Sequence, residues 1–306
     1  MTGDAPVASG VFAAVLTPLK ADLCPDHRAF ARHCRWLLEN GCDGLAVLGT
    51  TGEANSFSLP ERIGMLEGLI EAGIPGQALL PGTGCCAITD TIELSRRAVR
   101  LGVAGVVMLP PFYYKNVTDD GLFAAYSEVI EGVGEAALKV YLYHFPRMSA
   151  VPIGMALIER LLTRYPVTIA GMKDSSGDVG NMTACARAFP GFAVFSGADD
   201  LLLPLLEAGG AGCITAVCNV ASKLAAKVYS GWRNAAIGET NAQLAALRGI
   251  FTAYPLIAAL KEVMARHGGQ REWRNIRPPL TALGEAHAGD LLKAIEATGF
   301  SLPALR

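Results

Sequence analysis

Residues 167–178 read VTIAGMKDSSGD. An apolar run without polar alternation delivers a lysine, Lys173, to a polar turn that contains a glycine. Strands apolar on both faces belong to parallel sheets covered by helices. A lysine leaving such a strand needs water, a partner, or a loss of its charge. A strand ending at the surface fits this stretch as well as an amine held at the mouth of a barrel does, so the rest of the chain has to decide.

Seven other segments share the pattern: VFAAVLTP (11–18), GLAVLGT (44–50), ALLPGTG (78–84), GVVMLPP (105–111), KVYLYHFP (139–146), FAVFSG (192–197) and GCITAV (212–217). Stretches with helical spacing separate them. One begins near Pro25–Asp26 and runs to Asn40, with Gly41 as its stop, and another opens on proline over 60–73. Thr89 to Leu101 precedes a glycine cap, Gly102, and further helices are predicted over 119–130, 153–165, 179–188 and 199–208. Strand–helix alternation repeated eight times predicts an α/β fold, a closed (β/α)8 TIM barrel. The alternative is an open doubly wound sheet, and no GxGxxG follows the first strand to support it. From about Ala221 the chain reads as helix after helix, with a break at Arg277–Pro278–Pro279. The expected organisation is therefore a barrel core over 1–220, its eighth helix continuing beyond, and additional C-terminal helices over 221–306. Those helices either pack on the barrel or serve between subunits.

The composition of the 306 residues, 51% apolar and 18% charged, is that of a globular chain with an ample core. A net charge of −2 without a dense Lys/Arg cluster argues against nucleic-acid and anionic-membrane partners. The opening MTGDAPVASG lacks the basic start and apolar core of a secretory signal, and Gly, Pro or charge breaks every apolar stretch before spanning length. The eight cysteines include no CxxC pair, and the five histidines do not cluster with them, so no metal site is expected. Cys85 and Cys86 read as buried structural thiols, and a reducing, cytoplasmic setting fits.

Functional groups of such barrels gather where strands end. Here those ends hold Thr50–Thr51–Gly52–Glu53, Pro111–Phe112–Tyr113–Tyr114, Tyr143–His144–Phe145–Pro146, Lys173–Asp174, Gly197–Ala198–Asp199–Asp200 and Thr215. Lys173 is the natural nucleophile: an amine in apolar surroundings attacks a ketone and forms an imine, an electron sink for making or breaking a carbon–carbon bond. The plainer reading is an ion pair with Asp174 or a neighbouring acid. Tyr143 suits proton relay, or else fills the core with its hydroxyl satisfied locally. Thr50, Thr51 and Gly52 offer hydroxyls and close backbone approach to a carboxylate, or simply cap the next helix. His144 alternates away from Tyr143 and should face outward.

The runs GTTGE (49–53), YxxP (143–146) and GxKDSSGD (171–178), with SGADD (196–200) and GxIT (212–215), carry a resemblance over nearly the whole chain. The chain resembles the pyruvate-dependent class I lyases typified by dihydrodipicolinate synthase and N-acetylneuraminate lyase. The resemblance implies that Lys173 forms a Schiff base with pyruvate or another 2-oxo acid. It also implies that Tyr143 relays protons, Thr51 passes them on and Thr50 helps bind the carboxylate. Ile214 would line the pyruvate pocket, and Tyr113 would reach a neighbouring subunit's site, in a homo-oligomer that is a tetramer or a dimer. No organic cofactor is implied. Dihydrodipicolinate synthases place an arginine five residues after the YxxP tyrosine; here that residue is Met148, with Arg147 one step off. In an extended segment one step reverses a side chain. Asp199 and Thr215 match positions where sugar-acid lyases meet a polyhydroxylated chain, and Asp200 would help position that region. The expected activity is therefore cleavage or dehydration of a 2-oxo-3-deoxy sugar acid or a 4-hydroxy-2-oxo acid, releasing pyruvate in the cleavage case. The alternatives are condensation of pyruvate with aspartate semialdehyde, as in 4-hydroxy-tetrahydrodipicolinate synthases, and non-catalytic binding of a 2-oxo acid.

Overall fold

A computed structural model describes residues 7–304; residues 1–6, part of the stretch read above for a signal, and 305–306 lie outside the described residues. The chain begins with β1 (Gly10–Ala14), α1 (His27–Glu39), β2 (Gly44–Ala46), α2 (Leu59–Glu71) and α3 (Ile88–Arg100). It continues through β3 (Val106–Met108), α4 (Asp119–Val133), β4 (Val140–His144), α5 (Pro146–Ser149) and α6 (Met155–Arg164). Then follow β5 (Ile169–Asp174), α7 (Val179–Ala188), β6 (Ala193–Ser196), α8 (Leu202–Glu207) and β7 (Gly212–Thr215). Helices α9 (Cys218–Gly231), α10 (Ile237–Thr252), α11 (Leu256–Gly268) and α12 (Glu285–Ala297) complete it.

The helices form where caps and apolar spacing agree. Asp26 caps α1 by accepting a hydrogen bond from the Ala29 amide at 2.9 Å. Phe30, Cys34 and Leu37, at helical spacing, put one face of α1 into the core. In α2 Ser58 and Glu61 form a reciprocal capping box. Helix α9 starts three residues before the Ala221 expected from the sequence, and Ala221 itself has non-helical dihedrals inside it.

Seven strands form one parallel sheet in the order β2-β1-β7-β6-β5-β4-β3. The eighth expected strand, 78–84, is not a regular strand, yet it closes the barrel. On one side Leu80 and Gly82 donate to the carbonyls of Leu45 (2.9 Å) and Val47 (2.8 Å). On the other, Val107 donates to Pro81 (2.9 Å) and Thr83 to Val107 (3.0 Å). A single bridge forms on each side instead of a run; toward β3, Pro81 has no amide hydrogen to extend the ladder.

Side chains of alternate strand residues fill two cores. Phe12, Ala14, Leu80, Val107, Tyr141, Phe195 and Ile214 pack inside the barrel, whereas Val11, Ala13, Val106 and Val194 face the helices. Between β4 and β5 the register shifts, because Val140 pairs with Ile169 but Tyr141 pairs with Gly171. Ala170 is therefore the extra residue of a bulge. Beyond it Tyr143 lies directly opposite Lys173. A side chain at Gly171 would stand 2.2 Å from the Ala193 carbonyl oxygen, so only glycine fits there.

Helices α10 to α12 pack on the barrel. Glu53, in the loop after β2, accepts a hydrogen bond and ion pair from Lys261 of α11, with both side chains fully enclosed. Burial pushes the Lys261 ammonium below its ordinary range, and the adjacent Glu53 charge opposes that shift. Removing one partner of such a pair leaves an uncompensated buried charge, so Lys261→Met should lower unfolding free energy by about 3–5 kcal/mol. The double substitution Glu53→Gln with Lys261→Met should recover most of that loss; urea unfolding of the three proteins measures it.

Candidate active site

A cleft of about 540 Å³ opens at the C-terminal ends of the strands. Its floor is Ala14 of β1, Tyr143 of β4, Lys173 of β5 and Ile214 of β7. Thr50 and Thr51 stand at one side, and Ser175, Gly177, Gly197 and Ala198 at another. The C-terminal helices supply its roof through Arg248, residues 255–258, Ile276 and residues 279–281.

Lys173 is buried, with its Nζ 4.3 Å from the centroid of the Tyr143 ring. Among the described residues no ion pair, to Asp174 or to another acid, engages it. Asp174 points away instead, accepting from the Ser176 amide (2.8 Å) and the Asn181 side chain (2.7 Å). Phe145 stacks on Tyr143, their planes 24° apart, and confines the phenol. The Tyr143 hydroxyl lies 3.5 Å from Oγ1 of Thr50. It was Thr51 that the resemblance made the relay partner, but Thr50 supplies the hydroxyl that reaches Tyr143; Thr51 is buried beside it on the cleft wall.

The turn carrying these threonines is held between two residues in the left-handed region, Leu48 (φ 56°) and Glu53 (φ 57°). A side chain at Gly52 would stand 2.8 Å from the Val15 carbonyl oxygen. The Gly52 carbonyl accepts from Thr17 Oγ1 at 2.8 Å. Gly52 thus sets the turn's shape and does not itself line the cleft. Among the described residues no protein acceptor engages the Thr50 and Thr51 amides. Two unused N–H groups beside a lysine suit a carboxylate.

Four other sequence-predicted residues sit outside the cleft. Asp199 is fully buried; its Oδ1 accepts from Thr215 Oγ1 at 2.6 Å, and its Oδ2 lies 3.8 Å from Arg248. Burial pushes this carboxyl above its ordinary range, opposed by the Arg248 charge. Thr215, also buried, spends its hydroxyl on Asp199, while Asp200 is exposed on a short 3-10 turn. Asp199 and Asp200 turn away because 199–201 coil into that turn instead of extending the strand, while Thr215, next to inward-facing Ile214 on β7, points outward by strand alternation. Tyr113 stands on an exposed loop edge-on to Tyr114, and both are 73% exposed. His144 faces outward as expected, its Nδ1 accepting from the Ile153 amide at 3.0 Å. Cys86 is exposed and Cys85 half-buried against Arg62, so neither is the buried thiol anticipated.

The two arginines of the lining were not anticipated there. Arg147 reaches the cleft because Pro146–Ser149 is a helical turn. Successive side chains there diverge by about 100°, not by the half-turn of a strand. Reading Pro146 as a first-turn proline would have revealed this. Arg248, on α10, carries no local signal at all.

A closed parallel barrel with a buried lysine facing a tyrosine at its C-terminal mouth, together with the family match and the similar structures that follow, makes the chain a class I pyruvate-dependent lyase. The chain belongs to the dihydrodipicolinate synthetase family, whose model matches residues 7–298. It is 35% identical over 289 residues to an uncharacterized DapA-like lyase of Chloroflexus aurantiacus, covering 94% of this chain and 96% of that one. It is 33% identical over 251 residues to the 4-hydroxy-tetrahydrodipicolinate synthase of Moorella thermoacetica, covering 82% of each. Among solved structures, dihydrodipicolinate synthase from Agrobacterium tumefaciens superposes with a TM-score of 0.88 at 30% identity, over 94% of this chain and 99% of that one. YagE, a prophage protein of E. coli K12 solved with pyruvate, gives 0.88 at 27% identity, over 96% and 99%.

The roof is tied down at Arg277, whose guanidinium donates to Glu61 and to the carbonyls of Ser56 (2.6 Å) and Leu23 (3.1 Å). The hydrogen bonds from Arg277 hold the Glu61 carboxyl at about 2, below its ordinary 4.5. A pKa depressed by folding contributes stability that is complete above the unfolded value and lost as pH falls toward the folded one. Stability should therefore drop between about pH 4.5 and pH 2 through this group. Glu61→Gln should reduce that slope while leaving other carboxylates to titrate; urea midpoints measured across the interval check it.

Proposed function

We propose that Lys173 condenses with pyruvate and that the resulting enamine adds to an aldehyde carrying a carboxylate, the reaction type of 4-hydroxy-tetrahydrodipicolinate synthases. The observation that carries this reading is the register pair Tyr143–Lys173, buried at the floor of a cleft with unused Thr50 and Thr51 amides beside it. The names of the Moorella relative and the Agrobacterium structure support the condensation over a sugar-acid cleavage.

The Lys173 amine adds to the C2 carbonyl of pyruvate and expels water, forming an imine. Tyr143, left as a phenolate after giving its proton to the departing water, takes a C3 proton, which gives the enamine and restores its hydroxyl. Its carbon attacks the aldehyde, forming the new carbon–carbon bond, and the aldehyde oxygen takes a proton from the Tyr143 hydroxyl. Thr50, 3.5 Å away, exchanges that proton onward. One water then hydrolyses the imine and frees Lys173. Arg147 offers the aldehyde's carboxylate a two-pronged partner from the cleft wall. Tyr113, exposed on its loop with Tyr114, would meet a second copy of the chain in a homo-oligomer.

Met148 favours a second reading, because it occupies the place where the synthases carry arginine. In that reading the same imine drives retro-aldol cleavage of a 2-oxo-3-deoxy sugar acid, and the wide cleft takes the polyhydroxylated chain.

Incubation with pyruvate and borohydride, read by intact mass, should add one reduced pyruvate per chain to the native protein and none to Lys173→Ala. Condensation with aspartate semialdehyde should exceed cleavage of 2-oxo-3-deoxy sugar acids; the reverse order would replace the first reading by the second. Tyr143→Phe should still form the adduct but lose about 10²–10⁴-fold in turnover, and Arg147→Ala should raise KM for the aldehyde about tenfold while leaving pyruvate capture intact.

A further inference from the structure

We infer that Arg62 is a positioning residue for the first substrate: it holds the threonine turn in place and supplies the charge that favours a 2-oxo acid over an uncharged ketone. The inference rests on the Schiff-base reading and deepens it, because it concerns how the site recognises the carboxylate of pyruvate and leaves the aldehyde to Arg147.

Beyond the cleft floor lies a smaller inner cavity of about 30 Å³, which shares Ala14, Thr50, Tyr143 and Lys173 with the cleft. Arg62, in the first turn of α2, lines this inner cavity and is only 4% exposed. Its Nη2 donates to the Gly82 carbonyl at 2.8 Å and its Nη1 to Cys85 Sγ at 3.1 Å. Its Nε is enclosed without a hydrogen-bond partner. Among the described residues no carboxylate forms an ion pair with Arg62, and no aspartate or glutamate lines the inner cavity. A guanidinium stays charged in a protein, and burying it without a counter-charge is costly. A carboxylate arriving beside Lys173 supplies the counter-charge.

The backbone contacts lead to the same turn. A side chain at Gly82 would stand 2.5 Å from the Leu48 carbonyl oxygen and 3.1 Å from the Gly49 Cα, so the two backbones are in direct contact. Leu48 is in the left-handed region, a conformation that persists only where its surroundings enforce it. By fixing the Gly82 carbonyl, Arg62 holds the surface on which Leu48 and Gly49 rest. The next two residues are Thr50 and Thr51, whose unused amides suit the carboxylate. Arg62 therefore acts on the first substrate twice, through the shape of the turn and through a charge little screened inside the barrel.

The probes are pyruvate and pyruvamide, its uncharged amide. Borohydride trapping on the full chain is read by intact mass, and each rate is referred to imine formation with a free alkylamine to cancel intrinsic reactivity. The native protein should favour pyruvate by about tenfold or more. Arg62→Gln should remove most of that preference, whereas Arg62→Lys, which keeps the charge without the fork, should slow both probes and hold the preference within about threefold of native. A merely structural role would slow both probes alike in the two variants and leave the ratio unmoved. Should Arg62→Gln not fold by its urea transition, Arg62→Met takes its place, removing the charge and filling the space with an apolar chain. Equal trapping of the two probes by the native protein, or a native ratio kept in a folded neutral variant, would overturn the inference and leave the Schiff-base reading standing. A native protein that forms no adduct with either probe would overturn both.

Discussion

The arrangement of the cleft depends on one buried ion pair. Glu53 ends the turn that carries Thr50 and Thr51; it meets Lys261 through one carboxylate oxygen and accepts from the Arg277 amide (3.1 Å) through the other. Lys261 in turn donates to the Asn275 carbonyl at 2.7 Å. A strand-end loop, a helix outside the barrel and the segment that roofs the cleft are thereby fixed to one another by two side chains. Desolvating both ions cancels much of their attraction, so the pair's main effect is on geometry. Glu53 is in the left-handed region, which costs about 1 kcal/mol or more for such a residue, and its two side-chain contacts hold it there. A lining made from separate parts of the chain is thus held in one arrangement before any ligand arrives.

The alternation of apolar runs and helices could be read directly, because it follows from burial on both faces of each strand. Helix positions came within a few residues where capping residues mark them, as at Asp26 and Gly102. The strands proved shorter than the apolar runs, since the runs continue past the last ladder bond into the cleft wall. The segment 78–84 escaped regular pairing, toward β3 because Pro81 lacks an amide hydrogen, although its place in the barrel was legible. In the site, residues on strands fell where parity put them: Lys173 and Tyr143 inward, His144 outward. Residues just after strands did not. Arg147 and Asp199 both follow a strand closely, and each is reoriented by a helical turn beginning within a few residues. Arg248 is brought to the cleft only by tertiary packing, which no local pattern encodes.

The same packing changes what the C-terminal helices are for. Read from the sequence, they could pack on the barrel or join subunits. In the structure their inner surfaces make the cleft's roof and contribute one of its three cations. Trp273 completes the attachment; it is buried against the His33 ring of α1, 5.0 Å between centroids. Field lines from cations in a partly enclosed, low-dielectric cleft are concentrated toward its mouth, so anions are drawn in before any specific contact forms.

The bulge at Ala170 gives this active site an unusual dependence on counting. Upstream of it, Val140 faces Ile169; carried forward without interruption, that register would set Met172 opposite Tyr143. Loss of the Ala170 codon would remove the bulge and still leave Lys173 opposite Tyr143, whereas loss of a codon beyond the bulge, at Met172, would set Lys173 opposite Leu142 and turn the amine toward the helices. For lineages that drift by insertion and deletion, this strand is a reading frame in three dimensions: a residue can be lost at the bulge with the chemistry kept in place, but one lost between the bulge and Lys173 reassigns which residue faces Tyr143.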